Sequence, residues 1–122
     1  ETVDGFWIET DPRLESDGFE AADAAALLLE ALDGSRLGVR TPPRDSLGTK
    51  LPALAGVKSL ATFMRGAVSV DLSRSDEGTL TVTPMRNGGA RGGFVPMVEH
   101  ETHLGSADQL ADALVDAWEL AN

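Results

Sequence analysis

The two histidines of the chain lie close together, in the segment His100-Glu101-Thr102-His103. A zinc protease site needs two histidines four residues apart on a helix, with a glutamate between them as the general base. Here the spacing is three, and in an extended segment the two rings point to opposite faces and cannot share one ion. The spacing therefore favours neither a metal site nor a catalytic role.

The glycine-rich segment Gly88–Gly93 is a second candidate site, because glycine-rich loops can hold phosphate groups. It lacks the Gly-Lys-Ser/Thr ending of a P-loop and lies between two predicted strands. Its arginines resemble a fragment of an RNA-binding arginine–glycine segment, but the unit does not repeat. We interpret it as a flexible hairpin loop. Since there is also no cysteine and no Gly-x-Ser-x-Gly motif, the sequence predicts no enzyme and no cofactor.

Length and composition predict one globular domain. The chain has 122 residues, of which 42% are hydrophobic, and no apolar run approaches the ~20 residues of a membrane span. The lack of cysteine fits a reducing compartment, and the acidic N-terminus shows no charged-then-apolar leader. We therefore expect a cytoplasmic protein. Residues 1–16 are acidic and contain the apolar triplet Phe6-Trp7-Ile8, which we interpret as either a short strand or part of an acidic arm that docks through its aromatic residues.

Charge is sorted along the chain, whose net charge is −10. Residues 1–33 contain ten acidic residues and one basic residue, whereas residues 34–65 contain six basic residues and one acidic residue. Residues 98–122 contain six acidic residues and no basic residue. This charge disfavours nucleic acid and anionic membrane as partners and favours a basic protein.

Apolar residues at helical spacing predict helices near residues 18–33, 57–65 and 106–121. Asp17 is a candidate N-cap of the first helix, with Glu20 at the capping-box position. The apolar interior of this helix indicates that it is covered on most sides.

The last predicted helix has the clearest boundaries. Ser106 is its candidate cap, with Gln109 at the capping-box position. One face carries an apolar stripe that includes Trp118, and we expect Trp118 and Leu28 of the first helix to be buried.

Alternation of apolar and polar residues predicts three strands, near residues 67–73, 79–84 and 93–98. The first two form a hairpin that ends at Pro84. Pro96 places the third strand at an edge or a bulge, since proline cannot donate to the sheet. The fold class is therefore α+β, a small antiparallel sheet packed against the helices.

The last helix carries an acidic row opposite its apolar stripe. A row of this kind commonly does no more than solvate a helix, but this row has no compensating Lys or Arg four residues away, so its members repel each other. A partner of opposite charge would offset that repulsion, and we predict partner contacts at Asp108, Asp112, Asp116 and Glu119. The acids near the N-terminus form a competing patch: Asp11, Glu15, Asp17, Glu20 and Asp23.

A series of short motifs resembles the immunity proteins of bacterial contact-dependent growth inhibition systems, over about residues 19–121. The motifs are Ala31-Leu32-Asp33-Gly34-Ser35-Arg36, Gly56-Val57-Lys58-Ser59, Phe63, Val68-Ser69-Val70, Leu80-Thr81-Val82-Thr83-Pro84, Gly92-Gly93-Phe94-Val95 and Ser106-Ala107-Asp108-Gln109-Leu110. The resemblance implies a protein that is not an enzyme and that binds and blocks a toxin domain delivered by a neighbouring cell. Such toxins are often nucleases, which are basic because they hold phosphate backbones.

Three functions remain open from the sequence. The first is an immunity protein that neutralises a cognate toxin domain through an acidic surface, as a monomer. The second is an acidic cytoplasmic chaperone or adaptor for a secreted basic protein, which should bind an unfolded segment through an apolar groove. The third is an enzyme whose site the motifs do not reveal.

Overall fold

A computed structural model describes residues 20–43 and 50–122 of the chain. In this part of the protein a four-stranded antiparallel sheet packs against helices, which confirms the predicted α+β class. The predicted N-terminal arm, residues 1–16, lies outside the described residues.

The described residues contain the following helices and strands. The helices are α1 (Ala21–Asp33), α2 (Leu51–Leu54), α3 (Leu60–Met64), α4 (Gly89–Gly92) and α5 (Leu110–Ala121). The strands are β1 (Ser69–Arg74), β2 (Leu80–Asn87), β3 (Phe94–Pro96) and β4 (Thr102–Leu104). Single 3-10 turns cover Val98–His100 and Ala107–Gln109.

β2 is the central strand of the sheet. One of its edges pairs with the whole of β1, which confirms the predicted hairpin. Its other edge pairs with β3 beside residues 85–87 and with β4 beside residues 80–82. β3 therefore lies at an edge, as Pro96 predicts. The sequence pattern does not predict β4, because three residues are too few to show an alternation.

Pro84 lies inside β2, so the prediction that it ends the strand is wrong. A strand residue directs its N–H and its C=O to the same side, and the carbonyl of Pro84 accepts a hydrogen bond from the Met97 amide at 2.9 Å. The N–H that proline lacks would therefore face the break between β3 and β4, where the described residues place no strand. Since no ladder bond is lost, β2 continues to Asn87.

The core lies between one face of the sheet and the two long helices. Even-numbered residues of β1 and β2 face this side, because side chains alternate along a strand. Leu80 and Val82 of β2 are buried there, with Val70 and Leu72 of β1 beside them. The helices contribute Leu110, Ala113, Leu114 and Ala117 of α5 and Ala25 of α1.

α1 begins at Ala21, three residues later than predicted, with Glu20 as its N-cap and no side-chain hydrogen bond at that cap. The predicted cap, Asp17, lies outside the described residues. The prediction that this helix is covered on most sides is also wrong, because Ala22 and Ala26 are exposed. The sheet and α5 cover only the side of α1 that carries the buried Ala25.

Ser106 begins the last helical segment, as predicted, although not through a capping box. Its hydroxyl accepts a hydrogen bond from the Asp108 amide at 3.2 Å, and one 3-10 turn precedes α5. Trp118 is 37% exposed, so the prediction that it is buried is wrong, and Leu28 is only partly buried. Trp118 lies about 100° around the helix from the buried Ala117, at the margin of the contact with α1.

The predicted helix near 57–65 is shorter than expected. α3 covers Leu60–Met64, and the hydroxyl of Ser59 accepts a hydrogen bond from the Thr62 amide at 3.2 Å. Because Ser59 is the N-cap, the helix begins one residue after it and excludes residues 57–59.

The segment Gly88–Gly93 forms the helical turn α4, where the sequence suggested a flexible hairpin loop. The Gly88 amide donates to the Gly93 carbonyl at 2.7 Å and closes the turn. A Cβ atom at Gly88 would lie 2.8 Å from that carbonyl oxygen, which no side chain tolerates without a backbone shift. Glycine is therefore required at position 88, because the Gly93 carbonyl approaches it too closely for any side chain.

Candidate protein-binding surface

The acidic row of α5 faces solvent. Asp112 and Asp116 are exposed, as predicted, and so is Glu119, on the side of the helix opposite the buried residues. Asp108 is exposed too, but it lies in the 3-10 turn before α5, so it does not follow the α-helical spacing of the other three. The predicted row therefore consists of three carboxylates on α5 and a fourth, that of Asp108, in the 3-10 turn before it.

The competing N-terminal patch is described only in part. Asp11, Glu15 and Asp17 lie outside the described residues, whereas Glu20 and Asp23 are exposed at the start of α1. Two further carboxylates of this helix, Glu30 and Asp33, are exposed as well.

α1 and α5 pack side by side in opposite directions. Ala24, near the start of α1, and Trp118, near the end of α5, line the same depression. At its other end α1 is joined to β1 through an ion pair between Asp33 and Arg74, whose atoms lie 3.0 Å apart. Arg74 lies in the same row of the sheet as Leu104, which precedes α5.

This antiparallel packing places the two acidic groups that the sequence left as competitors on neighbouring helices. We call the combined surface the acidic helix layer. It comprises Glu20, Asp23, Glu30, Asp33, Asp108, Asp112, Asp116 and Glu119.

The acidic helix layer has no basic residue of its own, because residues 20–33 and 105–122 contain no Lys or Arg. One of its carboxylates, that of Asp33, is paired with Arg74 of β1. Asp23 and Asp112 lie in the first turns of their helices, where the helix dipole favours negative charge. Glu119 lies in the last turn of α5, where the dipole disfavours negative charge. Like charges four or three residues apart add repulsion. The layer therefore retains unfavourable electrostatics that a cationic partner would relieve.

Apolar side chains are exposed on the same helix as the carboxylates. Val115 and Trp118 are each 37% exposed, and Leu120 is 48% exposed. Exposed aromatic and aliphatic groups among charges are typical of a protein interface, where a few large side chains supply most of the binding energy. From the sequence we placed Trp118 in the core. Its position at the margin of the apolar stripe is the feature that could have indicated its exposure.

Basic residues lie on a different part of the molecule. Residues 50–70 and 84–98 contain no acidic residue, and they build α2, α3, α4 and the strand ends near them. Their basic residues are exposed: Lys50, Lys58, Arg65, Arg86 and Arg91. These five basic residues therefore lie on elements other than α1 and α5, whereas Arg74 of β1 pairs with Asp33 of α1.

The two histidines lie in different elements of the structure. His103 lies on β4, where its Nδ1 atom is 3.0 Å from the hydroxyl oxygen of Thr81, and His100 lies in the preceding 3-10 turn. Within residues 20–43 and 50–122, no three His, Asp or Glu side chains are placed to hold an ion. His103 therefore contributes a cross-strand hydrogen bond.

A carboxylate pair lies on the open face of the sheet, away from α1 and α5. The Thr83 hydroxyl donates to the Glu101 carboxylate at 3.2 Å, and Thr83 is paired across the ladder with Asp71. Lost hydration against the sheet raises the pKa of Asp71, and the negative charge of Glu101 raises it further. The sequence gives no signal of this pair, because it depends on the position of the 3-10 turn before β4.

No helix in the described part of the chain has the length and apolar character needed to cross a membrane. Comparisons of the chain with protein-family models, with curated proteins and with solved structures found no match.

Proposed function

We propose that this chain is an immunity protein, which binds a basic nuclease domain of a toxin and stops its activity. The observation that carries the proposal is the acidic helix layer, a surface of eight carboxylates on two neighbouring helices with no Lys or Arg in either helical segment. The motif series that resembles contact-dependent growth inhibition immunity proteins supports the same function.

The chemistry of a nuclease groove matches this layer. A nuclease holds phosphates with Lys and Arg side chains, and carboxylates can accept charge-assisted hydrogen bonds from the same groups. Carboxylates fixed on a packed helix lose little freedom on binding, so more of the interaction energy is available for affinity. Complementary charge also speeds the encounter and disfavours acidic partners.

The exposed apolar groups of α5 supply apolar contact area, which the carboxylates do not. Val115, Trp118 and Leu120 give the surface area that a folded partner can cover with apolar contacts. An indole ring beside carboxylates can also stack against an arginine side chain whose guanidinium binds the acids. The expected partner surface is therefore folded, basic and partly apolar.

A titration tests this function. The protein encoded directly upstream of this chain, where we expect the toxin, is purified, and its nuclease activity is measured while the full chain is added. We expect activity to fall linearly to zero at one chain per toxin domain, because the layer binds a folded domain tightly. A toxin domain of another, unrelated system is the control and should keep its activity.

Two results would contradict the proposal. One is full nuclease activity at a large molar excess of the chain. The other is binding to the toxin polypeptide only when it is unfolded, which is the behaviour expected of an acidic chaperone or adaptor.

A further inference from the structure

Basic and apolar side chains are exposed together on the short helices α2, α3 and α4. Lys58 precedes the capped start of α3, Arg65 follows the end of α3, and Arg91 lies in α4. Leu54 of α2 is 46% exposed and Leu60 of α3 is 40% exposed. We call these residues the basic face. The two stretches of chain that build it, residues 50–70 and 84–98, contain no acidic residue.

The three short helices form one packed unit. α2 packs against α3, and α3 packs against α4. Arg65 and Ala90 line one depression between α3 and α4, and Arg91 follows Ala90 directly. The side chain of Asn87 is hydrogen-bonded to both of these helices. Because the helices are held together, their exposed side chains lose less freedom on binding than side chains on separate loops would.

The basic face is not neutralised by the acidic helix layer of its own molecule. Asn87 has an odd number, so its side chain leaves the sheet on the side away from α1 and α5, and there it binds the end of α3. Met64 of α3 is buried outside the core that α1 and α5 cover. Within residues 20–43 and 50–122, neither Arg65 nor Arg91 has an ion pair. These arginines therefore retain charge that carboxylates of another molecule can neutralise.

The acidic helix layer complements the basic face in both charge and apolar character. The layer presents carboxylates beside the exposed Val115 and Leu120, whereas the basic face presents cationic groups beside Leu54 and Leu60. Guanidinium and carboxylate groups form charge-assisted hydrogen bonds, which are about twice as strong as neutral ones. Apolar groups beside the charges add contact area of the kind found in protein interfaces.

We propose that the basic face binds the acidic helix layer of a second copy of this chain. Because the two surfaces lie on different elements, the contact is heterologous and copies join head to tail. The net charge of −10 opposes association at long range, but salt screens charges more than about 8 Å apart, so the groups in direct contact decide. The contact needs no toxin and so goes beyond the proposed function. It covers the acidic helix layer, so a toxin domain and a second copy exclude each other.

Sedimentation velocity of the full chain tests this contact. The average mass is measured while the protein concentration is raised to about 1 mM, in about 0.15 M salt and in about 1 M salt. We expect the average mass to increase with concentration in the lower salt. The apparent Kd should rise at least about tenfold in the higher salt, because screening weakens contacts between exposed charges.

Two variants then identify the surfaces. Arg65→Gln combined with Arg91→Gln removes charge from the basic face, and Asp112→Lys combined with Asp116→Lys reverses charge on the acidic helix layer. All four positions are exposed, so folding should be unaffected. Each variant alone should stay monomeric over the same concentrations. Arg40→Gln, at an exposed arginine outside the basic face, is the control and should associate like the unmodified chain.

An equimolar mixture of the two variants contains one intact pair of surfaces. It should therefore form a one-to-one heterodimer and nothing larger, which also shows that both variants are folded.

Three results would overturn the inference. A chain that stays monomeric up to about 1 mM in the lower salt would leave the basic face to an acidic partner other than this chain. Association that either variant retains at the strength of the unmodified chain would place the contact elsewhere on the surface. A mixture of the two variants that stays monomeric would show that the two surfaces do not bind each other.

Discussion

Asn87 connects three segments of the chain, and its replacement by aspartate gives a sharp test of the fold. Its side-chain amide donates to the carbonyls of Met64 and Ala67, the latter at 2.9 Å. Its side-chain oxygen accepts a hydrogen bond from the Gly89 amide at 2.8 Å. One side chain at the end of β2 thus fixes α3, the start of β1 and α4.

Asn87→Asp keeps the shape and the bond from Gly89 but removes both donors. Two lost hydrogen bonds cost about 2 kcal/mol, and a carboxylate facing two carbonyl oxygens adds about 1 kcal/mol. For a domain of this size we therefore expect the melting temperature to fall by about 10 °C. Asn87→Ala is the control without a charge, and it removes both donors together with the acceptor of the Gly89 amide.

The two variants differ in their dependence on pH. The carboxyl group of Asn87→Asp should have a raised pKa in the folded state, because the surrounding carbonyls disfavour its charged form. The part of its penalty that comes from the charge is therefore absent below the unfolded pKa of about 3.9 and grows as the pH rises from that value to the folded pKa. The penalty of Asn87→Ala should stay constant.

Urea denaturation at about pH 7 and about pH 5 measures both effects, as free energies of unfolding relative to the unmodified chain at each pH. We expect the penalty of Asn87→Asp to be smaller at the lower pH. A cost below about 1 kcal/mol at neutral pH, or a cost that does not shrink on acidification, would refute the assigned hydrogen bonds.

Further predictions concern packing, backbone and charge, all measured by urea or thermal denaturation. Gly88→Ala should destabilise the protein by more than about 1 kcal/mol, because its Cβ would meet a carbonyl oxygen, whereas Gly92→Ala, with open space around it, should cost little. Leu110→Ala should cost about 3 kcal/mol, since Leu110 is fully buried, and Leu120→Ala, at a position 48% exposed, should cost less than about 1 kcal/mol. Asp71→Asn should raise the melting temperature slightly at neutral pH and not at about pH 3, because the raised pKa of Asp71 makes its charged form destabilising only above the unfolded pKa.

Elements with many regularly spaced residues could be predicted from the sequence. The alternation over β1 and β2 and the apolar stripe of α5 each extend over enough residues to define a period. β4 and α4 could not be predicted, because each is a short segment whose geometry depends on contacts with distant residues. Asn87 shows this for α4, since its partners come from three separate segments.

Pro84 gives a second reason why parts of the fold could not be predicted from the sequence. Proline ends a strand only when its missing N–H faces another strand, and that depends on where β3 ends and β4 begins. Burial of Trp118 likewise depends on how α1 and α5 pack, which the apolar stripe alone does not define. The acidic row was predictable because exposure of Asp112 and Asp116 follows from helical spacing.

The most direct test of the proposed function is the effect of charge reversal on affinity for the toxin domain that we expect to be encoded upstream. Asp112→Lys combined with Asp116→Lys changes two exposed positions of the acidic helix layer, so folding should be unaffected. The same reversal at Asp76 and Glu77, exposed in the β1–β2 turn, is the matched control. We expect the first pair to weaken binding by at least about 2 kcal/mol, about 30-fold in Kd, and the control pair to have little effect. Loss of binding with the turn pair, together with unchanged binding with the helix pair, would contradict the assignment of the acidic helix layer as the binding surface.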